Sequence, residues 1–306
     1  MPSSPETASS LEAALSRGPV VLDGGLSNQL EAAGYDLSDE LWTARLLRDD
    51  PSAIADAHSA YFAAGASVVL TASYQVGFAT FARHGIPADE TAKLLHRSVS
   101  LAQEARDATP VRPLWIAASI GPYGATLADG SEYRGHYGLS ATQLHDFHRP
   151  RLEVLAEAGP DLFAIETIPD LEEAEVLVGI AADLDIPVWL SYTVDGTSTR
   201  AGQPLGDAFA LAADVPQVIA TGINCSAPGD VSGAIALATE ATGKPVVVYP
   251  NSGEVWDAAA RRWTGRASFA QEDVRSWVGA GAGLIGGCCR VGPAEIAELA
   301  AAVATP

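Results

Sequence analysis

The chain has 306 residues, of which 48% are hydrophobic and 18% charged, a composition that excludes global disorder and can bury a large core. Its 38 acidic and 18 basic residues give a formal net charge of −20, which excludes nucleic acid and anionic membrane surfaces as partners and weakly favours a cationic ligand. No segment approaches the about 20 apolar residues that span a bilayer, and the polar residues 1–10 lack the features of a signal peptide, so we expect a cytoplasmic protein.

Eight short apolar runs recur along the chain. They lie at 19–23, 67–73, 114–120, 161–167, 188–193, 218–224, 246–250 and 283–287. Each run is nearly continuous in apolar residues rather than alternating, which is typical of parallel strands covered on both faces. The sequence therefore predicts eight parallel β-strands.

Ala-rich or amphipathic stretches between these runs predict helices. They lie at 51–64, 88–108, 141–158, 170–183, 228–241, 268–279 and 293–303. Asp39 precedes an apolar-periodic run and Pro51 opens the next, while Gly65, Gly159 and Gly243 stand where helices are expected to end. The alternation of strands and helices indicates a parallel α/β protein.

Eight repeats in one chain favour a single (β/α)8 TIM barrel, which typically occupies about 250 residues. An open doubly wound sheet is disfavoured because DGG at 23–25 is not the GxGxxG fingerprint. We expect one domain over residues 11–306, preceded by a loose tail at 1–10. The segment 121–140 is long for a strand-to-helix connection and rich in Gly and Tyr, so it is predicted to cover a site.

The polar residues of interest follow the predicted strands, at the end of a barrel where function gathers. They include all three cysteines of the chain: Cys225 follows the sixth strand, and Cys288 and Cys289 follow the eighth. Two adjacent cysteines in an odd total do not suit a disulfide framework and fit a reduced compartment. Three thiolates suit zinc, and a site with three protein ligands leaves the fourth position of a catalytic centre open.

Adjacent residues on a regular strand point to opposite faces, so Cys288 and Cys289 can share a metal only if the backbone turns between them. Gly286 and Gly287 are expected to permit that turn. The six histidines fall mostly in predicted helices or the long loop without paired spacing, so we interpret them as solvated or structural.

Motifs along most of the chain resemble the homocysteine S-methyltransferases. They are LDGGLSNQLE (22–31), TASYQ (71–75), SIGPYGA (119–125), RGHY (134–137), FAIETIPDLEEAE (163–175), GINCSAP (222–228), YPNSGEVWD (249–257) and GGCCRVGP (286–293). The resemblance runs from about residue 18 to the end, and the ordered GxNC and GGCC pair is its most specific part. It implies that Cys225, Cys288 and Cys289 bind Zn²⁺ and act through it on the substrate thiol.

The same resemblance implies that Asp23 and Glu166 hold the ammonium group of homocysteine, with its carboxylate on backbone groups near the first two strands. Each acid also has a structural alternative, since Asp23 could cap a turn and Glu166 could pair with an arginine. Two acids on the inner rim of an apolar barrel are nevertheless costly unless they meet a cation.

Further residues are predicted to contact substrate. Tyr74 and Tyr123, together with Phe78, could present ring faces to a sulfonium group, or could pack in the core. The predicted substrate site is completed by Gln75, Asn224 and Asn251, although Asn224 could instead orient the cysteine loop.

The resemblance implies methyl transfer to a zinc-bound homocysteine thiolate, which gives methionine. A diffusible sulfonium donor is expected, with S-methylmethionine first and S-adenosylmethionine second, since ETIPD and YPNSGE match the S-methylmethionine branch better than the betaine branch. Other thiol or selenol acceptors remain an alternative. So do a zinc hydrolase, which the all-sulfur ligand set disfavours, and a cysteine-based redox sensor.

Overall fold

The structure is a computed structural model that describes residues 10–37, 41, 43–257, 262–265, 267 and 270–304. The predicted tail therefore lies outside the described residues except for Ser10, whose side chain accepts a hydrogen bond from the Ala13 amide at the start of the first helix. The predicted helix start at Asp39 and the beginning of the predicted helix 268–279 also fall outside them. None of the described helices is long and apolar enough to cross a membrane.

Eight parallel strands form the central sheet, as predicted. They are β1 (Val20–Val21), β2 (Val68–Leu70), β3 (Trp115–Ile120), β4 (Leu162–Ile168), β5 (Val188–Tyr192), β6 (Val218–Asn224), β7 (Val246–Tyr249) and β8 (Ala282–Ile285). Their order in the sheet is β1-β8-β7-β6-β5-β4-β3-β2, and a parallel bridge between Leu22 and Val68 joins the two ends. The predicted (β/α)8 TIM barrel is thereby confirmed.

Helices surround the strands, except that the first one packs through Leu11 and Ala14 against the apolar residues of the barrel interior. They are α1 (Leu11–Leu15), α2 (Leu26–Ala32), α3 (Thr43–Asp49), α4 (Pro51–Ala63), α5 (Phe78–Arg83), α6 (Ala88–Ala108), α7 (Ala141–Glu157), α8 (Leu171–Asp183), α9 (Leu205–Ala210), α10 (Val231–Thr242), α11 (Gln271–Ala280) and α12 (Pro293–Ala304). Every predicted helical stretch overlaps one of these helices. α3 lies in the apolar-periodic run predicted to follow Asp39, and α1, α2, α5 and α9 are additional. Gly65, Gly159 and Gly243 adopt positive φ after α4, α7 and α10, as expected of helix-ending glycines.

Alternation along the strands separates two apolar layers. On β3, Trp115 and Ala117 belong to the barrel interior, whereas Ile116, Ala118 and Ile120 pack in the layer under the helices. The same alternation on β4 assigns Leu162 and Ala164 to the interior. Residues Ser119 and Glu166 continue the interior series, so polar groups reach the carboxyl end of the barrel.

Three connections add local structure at that end. The long segment after β3 contains two 3-10 turns, Tyr123–Leu127 and Ser131–Tyr133. Short antiparallel hairpins pair Val194–Asp195 with Ser198–Thr199 and Val255–Asp257 with Arg262–Thr264. These connections lie beyond the carboxyl ends of β3, β5 and β7.

Candidate active site

The three cysteines converge at the carboxyl end of the barrel. Their sulfur atoms all lie within 4.8 Å of one another, and the Sγ atoms of Cys225 and Cys289 are 3.6 Å apart. All three thiols are free of disulfides. In a tetrahedral zinc site with Zn–S bonds of about 2.3 Å, neighbouring sulfurs are about 3.8 Å apart. The spacing and the all-sulfur donor set therefore fit a zinc ion.

Hydrogen bonds fix the two cysteine loops against each other. The Cys225 amide donates to the Tyr249 carbonyl (3.2 Å), and the Cys288 amide donates to the Pro250 carbonyl (2.8 Å). Asn251 joins both loops, because its side-chain oxygen accepts from the Cys289 amide (3.1 Å) and its own amide donates to the Ser226 carbonyl (3.0 Å). The cluster is therefore held by backbone contacts from three neighbouring strands.

The adjacent cysteines reach the same point through a tight turn, in which the Val291 amide donates to the Cys288 carbonyl (3.3 Å) and Arg290 has a φ of 66°. The expectation that Gly286 and Gly287 provide the turn is wrong, since neither has positive φ. They are needed for close packing instead. A Cβ on Gly286 would lie 2.6 Å from that of Leu22, and one on Gly287 would lie 2.1 Å from Cγ1 of Val291.

The cluster favours a single thiolate in the absence of a cation. Hydrogen bonds from Cys288 and Cys289 lower the pKa of Cys225, whereas contact with Cys225 raises the pKa of both partners. Loss of all three protons therefore requires a nearby positive charge. A divalent cation would supply that charge.

Two buried acids face the same cavity. The carboxylate of Asp23 accepts from the Leu70 amide (2.8 Å), and that of Glu166 accepts from the Ser119 hydroxyl. Burial raises the pKa of Asp23 well above its usual range, with a further contribution from Glu166, and burial raises the pKa of Glu166 to about 7. Neither acid has a cationic protein partner in the contacts described, so the alternative of an arginine partner for Glu166 finds no support.

The cavity has a volume of about 120 Å³ and is bordered by the acids and the cysteines. Of the predicted site residues, the structure brings six to its wall: Asp23, Tyr74, Glu166, Cys225, Cys288 and Cys289. No lysine, arginine or histidine occurs among the described residues that line it. The cavity is thus suited to positively charged groups.

Four predicted substrate residues, Gln75, Tyr123, Asn224 and Asn251, do not line this cavity, and neither does Phe78. The ring of Tyr123 packs against Tyr137 and Phe147, with centroids 5.3 and 4.9 Å away. Gln75 is buried beside the β2 end. Asn251 ties the cysteine loops together as described above.

Asn224 has a local structural role. Its side-chain oxygen accepts from the Thr167 amide (2.6 Å), and its amide nitrogen donates to the Thr167 hydroxyl (2.7 Å). Thr167 has a φ of 58°, a left-handed conformation that costs a β-branched residue about 1–3 kcal/mol. Asn224 therefore holds the backbone immediately after Glu166, where the pairing of β4 with β5 shifts in register between Ile165 and Ile168.

The structure adds cavity residues that the motifs did not single out. Glu132 and Tyr133 come from the long segment after β3, and the Tyr133 hydroxyl lies 3.2 Å from Sγ of Cys225. Ser119, Thr167 and Tyr249 line the wall from the strand ends. The prediction that 121–140 covers a site is consistent with this placement, but its inward residues carried no sequence signal.

Comparisons with known proteins agree with the motifs. The family model described as homocysteine S-methyltransferase matches residues 20–303. Homocysteine S-methyltransferase 4 of Zea mays is 46% identical over 94% of this chain and 90% of its own, and homocysteine S-methyltransferase YbgG of Bacillus subtilis is 43% identical over 92% and 93%. The metallated form of the homocysteine methyltransferase MmuM from Escherichia coli superposes with a TM-score of 0.87 at 41% identity, covering 95% of this chain and 99% of that one.

Proposed function

The chain belongs to the homocysteine S-methyltransferase family, and we propose that it transfers a methyl group from a sulfonium donor to homocysteine with zinc held by Cys225, Cys288 and Cys289. The observation that carries the proposal is the convergence of these three sulfur atoms within 4.8 Å, beside a cavity that two buried acids share. That the similar E. coli enzyme has a metallated form supports a bound metal in this chain.

A free thiol is a weak nucleophile at neutral pH, because its pKa near 8.5 makes full ionisation cost about 2 kcal/mol. Cys225, Cys288 and Cys289 would hold zinc, which would act as a Lewis acid that stabilises the homocysteine thiolate while leaving it electron-rich. The cysteines thereby remove the need for a separate general base in the cavity.

Asp23 and Glu166 orient the acceptor in this proposal. Their carboxylates bind the ammonium group of homocysteine, which gives the two buried acids the cation that the surrounding protein does not provide. The carboxylate of homocysteine lies against the backbone of residues 24–27, which borders the same cavity. Fixing the amino acid at this end directs its side-chain sulfur towards the cysteines.

The chemical step is a direct displacement. The homocysteine sulfur forms a bond to the methyl carbon, the bond between that carbon and the sulfonium sulfur breaks, and its electron pair remains on the leaving thioether. The leaving group departs neutral, so no proton transfer to it is needed. Orientation of the two sulfur atoms about the methyl carbon supplies several kcal/mol, on the order of the gains measured for other positioned reactions.

S-methylmethionine is the expected donor, ahead of S-adenosylmethionine and betaine. The test combines metal analysis with homocysteine methylation on one purified sample. Activity should disappear when a chelator removes zinc and return when zinc is restored. A metal-free sample that retains full transfer activity would rule out the proposed role of the cysteines.

A further inference from the structure

Glu132 is a third acid in the cavity, and the proposed reaction leaves it without a role. It follows the Gly130 turn in the segment after β3 and lines the cavity together with Tyr133. One of its carboxylate oxygens, Oε2, is buried and has no hydrogen-bond partner among the described residues. Burial raises the pKa of Glu132 to about 7, and the charge of Cys225 adds to this effect. An acid in this state is poorly satisfied unless a cation enters the cavity.

The nearest arginine in sequence does not satisfy it. Arg134 donates to the Ser131 hydroxyl (2.7 Å), lies 3.9 Å from a carboxylate oxygen of Asp129, and has a side chain that is 70% exposed. No ion pair joins Arg134 to Glu132 in the described part of the chain. Arg134 lowers the pKa of Glu132 from a distance, but it is the weakest of the influences on this acid, so a direct cationic partner for Oε2 would have to come from a ligand.

The three acids divide into two groups. Asp23 and Glu166 act on each other, since Glu166 raises the pKa of Asp23, and each is anchored on a strand end, at Leu70 and Ser119. Glu132 acts on the cysteine side, where its charge raises the pKa of Cys289 and Tyr74. Glu166 lies between the two groups, because Cys225 also raises its pKa. Homocysteine carries one ammonium group, which matches the first pair. Glu132 is left for a second cation.

We propose that Glu132 recognises the positively charged sulfonium group of the methyl donor, with the adjacent Tyr133 and Tyr74 contributing their ring faces. This inference rests on the proposed function. A sulfonium has no N–H group, so it is bound by electrostatic attraction to a carboxylate and by contact with aromatic faces rather than by hydrogen bonds. Glu132, Tyr74 and Tyr133 line the same cavity.

The assignment explains how the site distinguishes reactant from product. S-methylmethionine and methionine carry the same ammonium and carboxylate groups and differ at sulfur, which is a cation in the donor and a neutral thioether after transfer. A carboxylate beside that sulfur favours the donor and releases the thioether, because the attraction disappears when the methyl group leaves. Glu132 is thus a specificity-determining residue for the donor.

The test is direct binding of S-methylmethionine and of methionine to the zinc-loaded protein without homocysteine, by calorimetry. Glu132→Gln should weaken S-methylmethionine binding about ten- to one hundredfold, the range for loss of a charged partner, and leave methionine binding unchanged. Glu132→Asp should restore part of the affinity. In turnover the Gln variant should raise KM for the donor, while KM for homocysteine and the zinc content stay as in the unaltered protein.

Asp146→Asn is the matched control, because it removes one charge from an exposed side chain on α7. Equal weakening by this control would assign the effect to the net charge of the protein and overturn the inference. Equal loss of S-methylmethionine and methionine binding in Glu132→Gln would overturn it too, since the sulfonium would not be what Glu132 recognises. An unaltered enzyme that accepts no sulfonium donor would instead refute the proposed function, and the inference with it.

Discussion

Glu166→Gln should raise the free energy of unfolding of the substrate-free protein and weaken the binding of homocysteine to the enzyme. Burial raises the pKa of Glu166 from an ordinary 4.5 to about 7. The pKa of Glu166 in the folded protein lies above 4.5, so this acid stabilises the fold fully below about pH 4.5. The stabilisation is lost as the pH rises through about 7. At about 1.4 kcal/mol for each pH unit, the ionised acid destabilises the fold by about 3 kcal/mol above that pH.

A neutral amide of nearly the same shape avoids that cost. Denaturant unfolding without substrate should show the variant gaining about 1–3 kcal/mol over the unaltered protein near pH 8, and almost no gain near pH 4. Ionisation of other groups is common to both proteins and cancels in the difference. Glu298→Gln, an exposed change on α12, is the control and should show no pH-dependent difference.

The same substitution should impair acceptor binding, because the ammonium of homocysteine loses a charged partner. KM for homocysteine should rise about ten- to one hundredfold, with zinc content unchanged. In the unaltered enzyme this KM should also rise as the pH falls below about 7, where Glu166 takes up a proton, and the variant should lose that dependence. A variant with no stability gain at high pH and normal kinetics would refute both the burial argument and the assignment of Glu166.

Other substitutions and substrates test separate parts of the site. Asp23→Ala should raise KM for homocysteine while zinc stays bound, and normal kinetics in metal-replete protein would remove Asp23 from the substrate site. Gly287→Ala should lower the free energy of unfolding by about 1–3 kcal/mol and weaken zinc binding, because the new Cβ would lie 2.1 Å from Val291. Gly279→Ala, at an exposed position of α11, should instead raise the free energy of unfolding by about 0.5–1 kcal/mol. Initial rates with three donors should fall in the order S-methylmethionine, S-adenosylmethionine, betaine, and a higher rate with betaine would contradict the assignment from the ETIPD and YPNSGE motifs.

The barrel could be predicted because parallel strands buried on both faces appear as continuous apolar runs, and because the chain repeats them eight times. The cysteine cluster could be predicted for a related reason. Residues just after such strands meet at one end of the barrel, so Cys225 and the pair 288–289 had to approach each other once the strands were assigned.

The rest of the site depends on contacts between distant segments. Thr167 adopts its left-handed conformation because Asn224 binds it across the sheet, and Gly287 is required because Val291 folds back onto it. Neither neighbour can be identified from local sequence. The loop after β3 has no periodicity that shows which side chains turn inward. The sequence therefore predicts that Tyr123 contacts the ligand, whereas in the structure Tyr133 lines the cavity and Tyr123 packs against Tyr137.

Zinc-edge X-ray absorption tests the central claim, that Cys225, Cys288 and Cys289 hold one metal ion at which homocysteine binds. The spectrum of the zinc-loaded protein should show the three cysteine sulfurs as ligands, and one additional sulfur when homocysteine is present. Each Cys→Ser variant should lose most of the zinc, with activity falling in proportion to the metal retained. A sulfur count that does not change in an enzyme actively methylating homocysteine, or full zinc content in a cysteine variant, would contradict the account.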